Sequence, residues 1–160
     1  MKVKRIIDED FTNYAYQVSM LIAMPSCTFK CEKECGMRCC QNSALARAPD
    51  VEVDAEKLVL RYLRNKITRA VCFGGLEPFD SFEDVYTFAD ILRNKYHCGD
   101  MLVIYTGYRR TEITQRLERL KPLGNIIVKF GRFLPNREKH YDPVLGVELA
   151  SDNQYAERIC

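Results

Sequence analysis

The sequence predicts an α/β domain built on a mainly parallel sheet, and three observations carry that prediction. Short apolar runs alternate with segments of helical periodicity at intervals of about 25 to 35 residues, the layout of βαβ units. Two runs, Arg69-Ala-Val-Cys-Phe73 and Met101-Leu-Val-Ile-Tyr-Thr106, are almost wholly apolar, as strands buried on both faces are, and each stops at glycine. Asp80-Ser-Phe-Glu83 has capping-box spacing, and Phe82, Val85, Phe88, Ala89 and Leu92 recur at helical intervals around and after it. The 160 residues, 47% of them apolar, suffice for a single domain over 1–160. They fall short of the roughly 250 residues of a complete eightfold βα barrel.

The elements follow in order. Gln17 to Met24 is β-like and ends at Pro25, after which a loop runs to about Asn42. Asp54 can cap a helix in which Leu58 and Tyr62, and Val59 and Leu63, form i, i+4 pairs on neighbouring faces. The strand Arg69–Phe73 is broken by Gly74-Gly75, and a helix follows over about Ser81 to Asn94. The strand Met101–Thr106 ends at Gly107, and Thr111 opens a helix carrying Ile113, Leu117 and Leu120. Asn125 to Phe130 supplies one more strand. Beyond Gly131 the pattern weakens: Leu134 to Pro143 reads as a polar loop, and Val144 to Ala150 as a short apolar segment. Ligands of α/β folds gather at the carboxyl ends of strands. The loop after Met24, Gly74-Gly75 and Thr106-Gly107 therefore share one predicted rim.

Charge names no partner. The 24 basic and 22 acidic residues leave +2, far from the basic excess of a dedicated nucleic-acid binder. No apolar stretch approaches the roughly 18 residues of a membrane span, and Met1 to Asp10 lacks a signal peptide's apolar core. The expected location is the cytoplasm. In that reducing compartment, eight cysteines that cluster rather than spread argue for metal binding over a disulfide framework.

Five of the eight fall within fourteen residues, at Cys27, Cys31, Cys35, Cys39 and Cys40. Structural zinc sites commonly use two short Cys-x-x-Cys pairs separated by a longer stretch, and such pairs are absent here. Spacings of four from Cys27 to Cys39 would stack thiols on one helix face, but Pro25 and Gly36 speak against a regular helix. A 4Fe–4S cluster needs only three protein thiolates if its fourth iron is left open, so five are more than enough. A zinc-binding interaction module without catalysis stays the alternative of another class.

The sequence resembles the radical S-adenosylmethionine (SAM) enzymes, and within them the activating component of the anaerobic ribonucleotide reductase. Four landmarks in order carry the resemblance. Cys27-Thr-Phe-Lys-Cys31 matches the first cysteine pair, and Cys40-Gln-Asn42 the ending of the cysteine motif. Phe73-Gly-Gly-Leu-Glu-Pro78 looks like the motif that binds the amino group of SAM's methionine, and Val103-Ile-Tyr-Thr-Gly-Tyr108 like the strand ending in Thr-Gly-Tyr. Ala150-Ser-Asp-Asn-Gln154 is similar to a late Ser/Asp-Asn-Gln element.

The resemblance implies a small open partial βα barrel, a cluster held by Cys27, Cys31 and Cys40, and SAM bound at Gly74, Gly75, Glu77, Thr106 and Asn42. It also implies reductive cleavage of SAM and hydrogen abstraction from a glycine of a large glycyl-radical partner, with flavodoxin or ferredoxin as electron donor. A radical SAM enzyme acting on a small molecule or peptide is the alternative within the family. The chain departs from the pattern by six extra residues between its second and third cysteines. Cys35 therefore competes with Cys40 as third ligand, Asn42 favours Cys40, and Cys35 and Cys39 read as passengers on the insertion. Gln41 stands at the usual aromatic position, and Leu76 interrupts Gly-Gly-Glu.

The remaining polar and aromatic residues have blander readings beside any functional one. Tyr108 stacks on a ligand or merely covers the sheet, and Arg109-Arg110 touches a partner or forms a solvated face. His97, His140, Asp142 and Glu148 read as surface or turn residues.

Overall fold

The computed structural model covers residues 1–160. Its centre is a six-stranded sheet with β3 (Ser19–Met24), β5 (Ala70–Gly75), β6 (Met101–Tyr105) and β7 (Ile126–Phe130) mutually parallel in that spatial order. Two antiparallel strands flank them, β2 (Arg5–Asp10) beside β3 and β10 (Tyr155–Arg158) beside β7. The parallel core agrees with the reading from sequence. The sheet is open: β2 and β10 stand at opposite edges and do not pair, so no barrel closes.

Between the parallel strands run α3 (Ala55–Arg64), α4 (Phe82–Asp90) and α5 (Thr114–Leu120). All three cover the same face. Met20, Ile22 and Met24 of β3, Val71 and Phe73 of β5, and Leu102 and Ile104 of β6 form one buried cluster with Leu58, Tyr62, Val85, Phe88 and Leu117. This one-sidedness follows from right-handed crossovers between strands laid down successively in one direction. Because side chains alternate across a strand, Leu21, Cys72, Val103 and Ile127 point to the opposite face. That face is covered by Tyr14, Leu145 and Leu149 and by no long helix.

Some local expectations hold and others need correction. Asp54 caps α3 as expected, accepting from the Lys57 amide at 2.8 Å. The Asp80–Glu83 capping box does not form, because Asp80 accepts instead from the Thr28 amide and the Tyr108 hydroxyl; a 3₁₀ turn, Pro78–Ser81, leads into α4. The C-terminal part is more ordered than its composition suggests. β8 (His140–Asp142) and β9 (Val147–Leu149) form a hairpin, and Asp142 is not a surface residue but 4% exposed. Its carboxylate accepts from the amides of Val144, Leu145 and Ala156, fixing the hairpin turn and docking β10. His97 and Glu148 are exposed as expected, while His140 is half-buried. At the N-terminus, β1 (Lys2–Val3) pairs with β4 (Val51–Glu52). No helix is long and apolar enough to cross a membrane.

Candidate functional site

At the carboxyl ends of the parallel strands, on the face away from the helices, lies a cavity of about 550 Å³. The three loops expected on one rim meet there: the cysteine segment, Gly74-Gly75 and Thr106-Gly107. Gly74, Gly75, Glu77, Thr106 and Asn42 all line it. So do Cys27, Cys31 and Cys40, while Cys35 and Cys39 do not.

The cysteine segment is more regular than its Pro and Gly suggest. It contains α1 (Lys30–Cys35) and α2 (Ser43–Arg47), with Gly36 in the left-handed region ending α1. The expectation against a regular helix holds for the whole Cys27–Cys39 span and fails over its middle. Cys27 lies before α1, Cys31 in its first turn and Cys35 at its end; Cys31 and Cys35 share a helix face one turn apart, but only Cys31 reaches the cavity lining. The sulfurs of Cys35 and Cys39 instead lie 3.1 Å from one another.

Three hydrogen bonds join this segment to the end of β5 and the loop after it. The Glu77 amide donates to the Ser26 carbonyl at 2.7 Å, the Thr28 amide to the Asp80 carboxylate at 2.7 Å, and the Asn42 side chain to the Gly75 carbonyl at 2.6 Å. Ion pairs hold α1 from the other side. Glu34 meets Arg109 at 2.6 Å and Arg132 at 3.1 Å, and Glu112 meets Arg132 at 2.7 Å and Lys30 at 3.5 Å. The Lys30 ammonium also sits 4.2 Å from the centre of the Tyr108 ring. Tyr108 and Arg109 therefore anchor α1 and line no part of the cavity, and Arg110 pairs with Glu157.

Gly75 has to be glycine. Its φ is +81°, and a Cβ there would stand 2.8 Å from Ala23 Cβ and 2.9 Å from Leu45 Cδ2. Glu77 is the polar centre of the rim. It is buried, and its Oε1 accepts from the Thr106 hydroxyl at 2.7 Å and the Phe79 amide at 3.0 Å, its Oε2 from the Gly107 amide at 2.8 Å. Burial pushes its carboxyl up to about 7, against the pull of those donors. A carboxylate oxygen has two acceptor positions, so Oε2 keeps one for a ligand. A Cβ on Gly107 would stand 3.4 Å from Cys31 Sγ and 3.5 Å from Glu77 Oε2, which places the Cys31 thiol and the Glu77 carboxylate close together beside that glycine.

The donor set suits iron. Cys27, Cys31 and Cys40 are free, half-buried thiols lining the same cavity, and thiolates are the ligands that iron–sulfur clusters take. Burial pushes the Cys27 thiol up to about 12 and raises that of Cys31 as well. Such thiols are protonated in the free protein, and metal binding would release those protons. No three Cys, His, Asp or Glu side chains converge as they would around a single ion.

Sequence reasoning missed Lys129. It lies on the cavity face of β7, 7% exposed, and its ammonium donates to the Gly131 carbonyl at 3.1 Å. Burial lowers it to about 8. The signal was a lone charge inside the apolar strand Ile126–Phe130. Gln154, in the late landmark, lines the cavity too and ties it to the loop after β7 by donating to the Gly131 carbonyl and accepting from the Ala150 amide.

A family model described as a 4Fe-4S single cluster domain matches residues 18–154. No curated protein and no solved structure matches the chain.

Proposed function

Because this chain belongs to the 4Fe-4S single cluster domain family, we propose that it is a radical SAM enzyme whose cluster ligands are Cys27, Cys31 and Cys40. One observation carries the reading. Of five clustered cysteines, the three at the motif positions line the same cavity as Gly74, Gly75, Glu77, Thr106 and Asn42, and the two inserted ones do not. When bound, a 4Fe–4S cluster with an open iron supplies a single electron to SAM for reductive cleavage of a carbon–sulfur bond.

The chain's own residues do the rest. Gly74 lets a ligand approach the backbone at the end of β5, Gly75 supplies the left-handed turn there, and Asn42 holds the Gly75 carbonyl in place. Glu77 offers the open position on Oε2 to an ammonium group, the polar end expected of SAM's methionine. Thr106 and the Gly107 amide keep that carboxylate oriented. A glycyl-radical protein of the anaerobic ribonucleotide reductase kind is the partner that fits the four landmarks, with flavodoxin or ferredoxin as electron donor. A small-molecule or peptide substrate is the second reading. It is favoured by Val147, Glu148, Leu149 and Ala150, which give the cavity a wall of the chain's own.

The test is anaerobic reconstitution with iron, sulfide and reductant, followed by SAM. Release of 5′-deoxyadenosine is expected, and a reconstituted cluster that never turns over SAM would sink the reading. Cys40→Ala is expected to abolish the cluster's absorbance and Cys35→Ala to keep it; the reverse pattern moves the third ligand to Cys35.

A further inference from the structure

We propose that Cys35 and Cys39 form a reversible disulfide, a covalent modification site that staples the inserted part of the cysteine segment. Their sulfurs stand 3.1 Å apart, and neither lines the cavity that Cys27, Cys31 and Cys40 line. The backbone brings them together. Cys35 closes α1, Gly36 turns the chain at φ +70°, and its amide donates to the Glu32 carbonyl at 2.9 Å, so Cys39 returns opposite Cys35. A Cβ on Gly36 would meet nothing within 4 Å, so the glycine serves the turn rather than packing. Gly36, Met37 and Arg38 are exposed, which gives a small oxidant access to the pair.

The reaction is thiol–disulfide exchange with a low-molecular-weight disulfide. One cysteine sulfur displaces half of that disulfide and is linked to the other half. The second cysteine sulfur then displaces the remaining half, forming the Cys35–Cys39 bond. Two electrons pass from the pair to the external disulfide, and the two thiol protons end on the two small thiols released. The bond joins the end of α1 to the residue before Cys40. It shortens the free arc between Cys31 and Cys40 without consuming a thiol of the cavity.

The full chain is equilibrated anaerobically in mixtures of glutathione and glutathione disulfide, blocked with iodoacetamide, digested with trypsin and weighed. Cleavage after Lys33 and Arg38 separates Glu34–Arg38 from Cys39–Arg47. The expected result is that these peptides travel as one species, lighter by two hydrogens than their sum, until reductant is added. The link should persist in Cys40→Ser and vanish in Cys39→Ser, with circular dichroism confirming that both variants fold. Complete alkylation of Cys35 and Cys39 at every glutathione ratio overturns the proposal. So does glutathione retained on either residue, or a link that survives Cys39→Ser and is lost in Cys40→Ser. The readout needs neither cluster nor SAM, so it stands or falls separately from the proposed activity.

Discussion

The side-chain amide of Asn42 donates to the carbonyl of Gly75 across 2.6 Å, joining the last residue of the cysteine motif to the turn at the end of β5. The bond is solvent-facing, and a typical hydrogen bond contributes about 1 kcal/mol. Asn42→Ala is expected to lower the unfolding free energy of the cluster-free chain by about that much in a urea titration, and to lower the iron content after reconstitution more than the stability change alone. An unchanged iron content would mean that the bond does not position Cys40.

The two neighbouring glycines should behave differently. Gly75→Ala forces an L side chain to φ +81° and presses its Cβ against Ala23 and Leu45, so strain and overlap together should cost about 2 to 4 kcal/mol. A Cβ on Gly74 meets Leu21 and Tyr105 at 3.7 Å, ordinary contact, and Gly74→Ala should shift stability by less than about 1 kcal/mol. Thermal melts of the two variants side by side decide the matter, and equal losses would contradict the geometry.

Glu77→Ala removes an acceptor shared by the Thr106 hydroxyl and the amides of Phe79 and Gly107. Leaving buried donors unmet costs about 1 to 3 kcal/mol for each group, less than additively when they share one site. The expected loss is about 3 kcal/mol by urea unfolding. Glu77→Gln keeps one acceptor oxygen and should lose less than half of that.

The ion network on α1 predicts an acid limb. The Arg132 guanidinium beside Glu112 holds its carboxyl at about 2, below the ordinary carboxylate value of 4.5. A depressed folded-state value means stability that is present above about 4.5 and lost as pH falls towards 2. Glu112 is partly solvent-exposed, so screening reduces the contribution to about 1 kcal/mol. Glu112→Gln should flatten that part of the stability–pH curve, measured by urea midpoints between pH 5 and pH 2.5.

Lys129 predicts a gain. Burial costs the Lys129 ammonium more than its one hydrogen bond, to a carbonyl, its 5.9 Å approach to the Tyr105 ring and the nearby Cys31 and Glu77 return, and an apolar side chain of similar length removes that cost. Lys129→Met is expected to raise the stability of the cluster-free chain by about 1 to 3 kcal/mol in urea. A loss of stability would show that the charge is compensated within the protein.

The central strands and the three long helices were legible because each carries one strong period: near-continuous apolar runs for doubly covered strands, and i, i+4 spacing for helices covered on one side. The edges were not. Arg-Ile-Ile-Asp-Glu-Asp of β2 mixes charge into a strand whose outer edge faces water, and β8, β9 and β10 are too short to show alternation. At the site, the residue types and their order pointed to the rim, but orientation did not follow from spacing. Which thiols face the cavity depends on where α1 starts and on the turn at Gly36. Asp80 looked like a helix cap and is held by Thr28 and Tyr108 instead, because the cysteine segment packs where a free cap would stand.

The cysteine segment is fastened at both ends to the same short stretch of chain, at Ser26 to Glu77 and at Asn42 to Gly75. Its interior length is thereby uncoupled from the register of the sheet. Adding residues between the two fastenings lengthens a closed arc, at an entropic penalty that grows only logarithmically. The scaffold can therefore exchange this arc as a cassette, acquiring new side chains beside the cavity while its fold stays as it was.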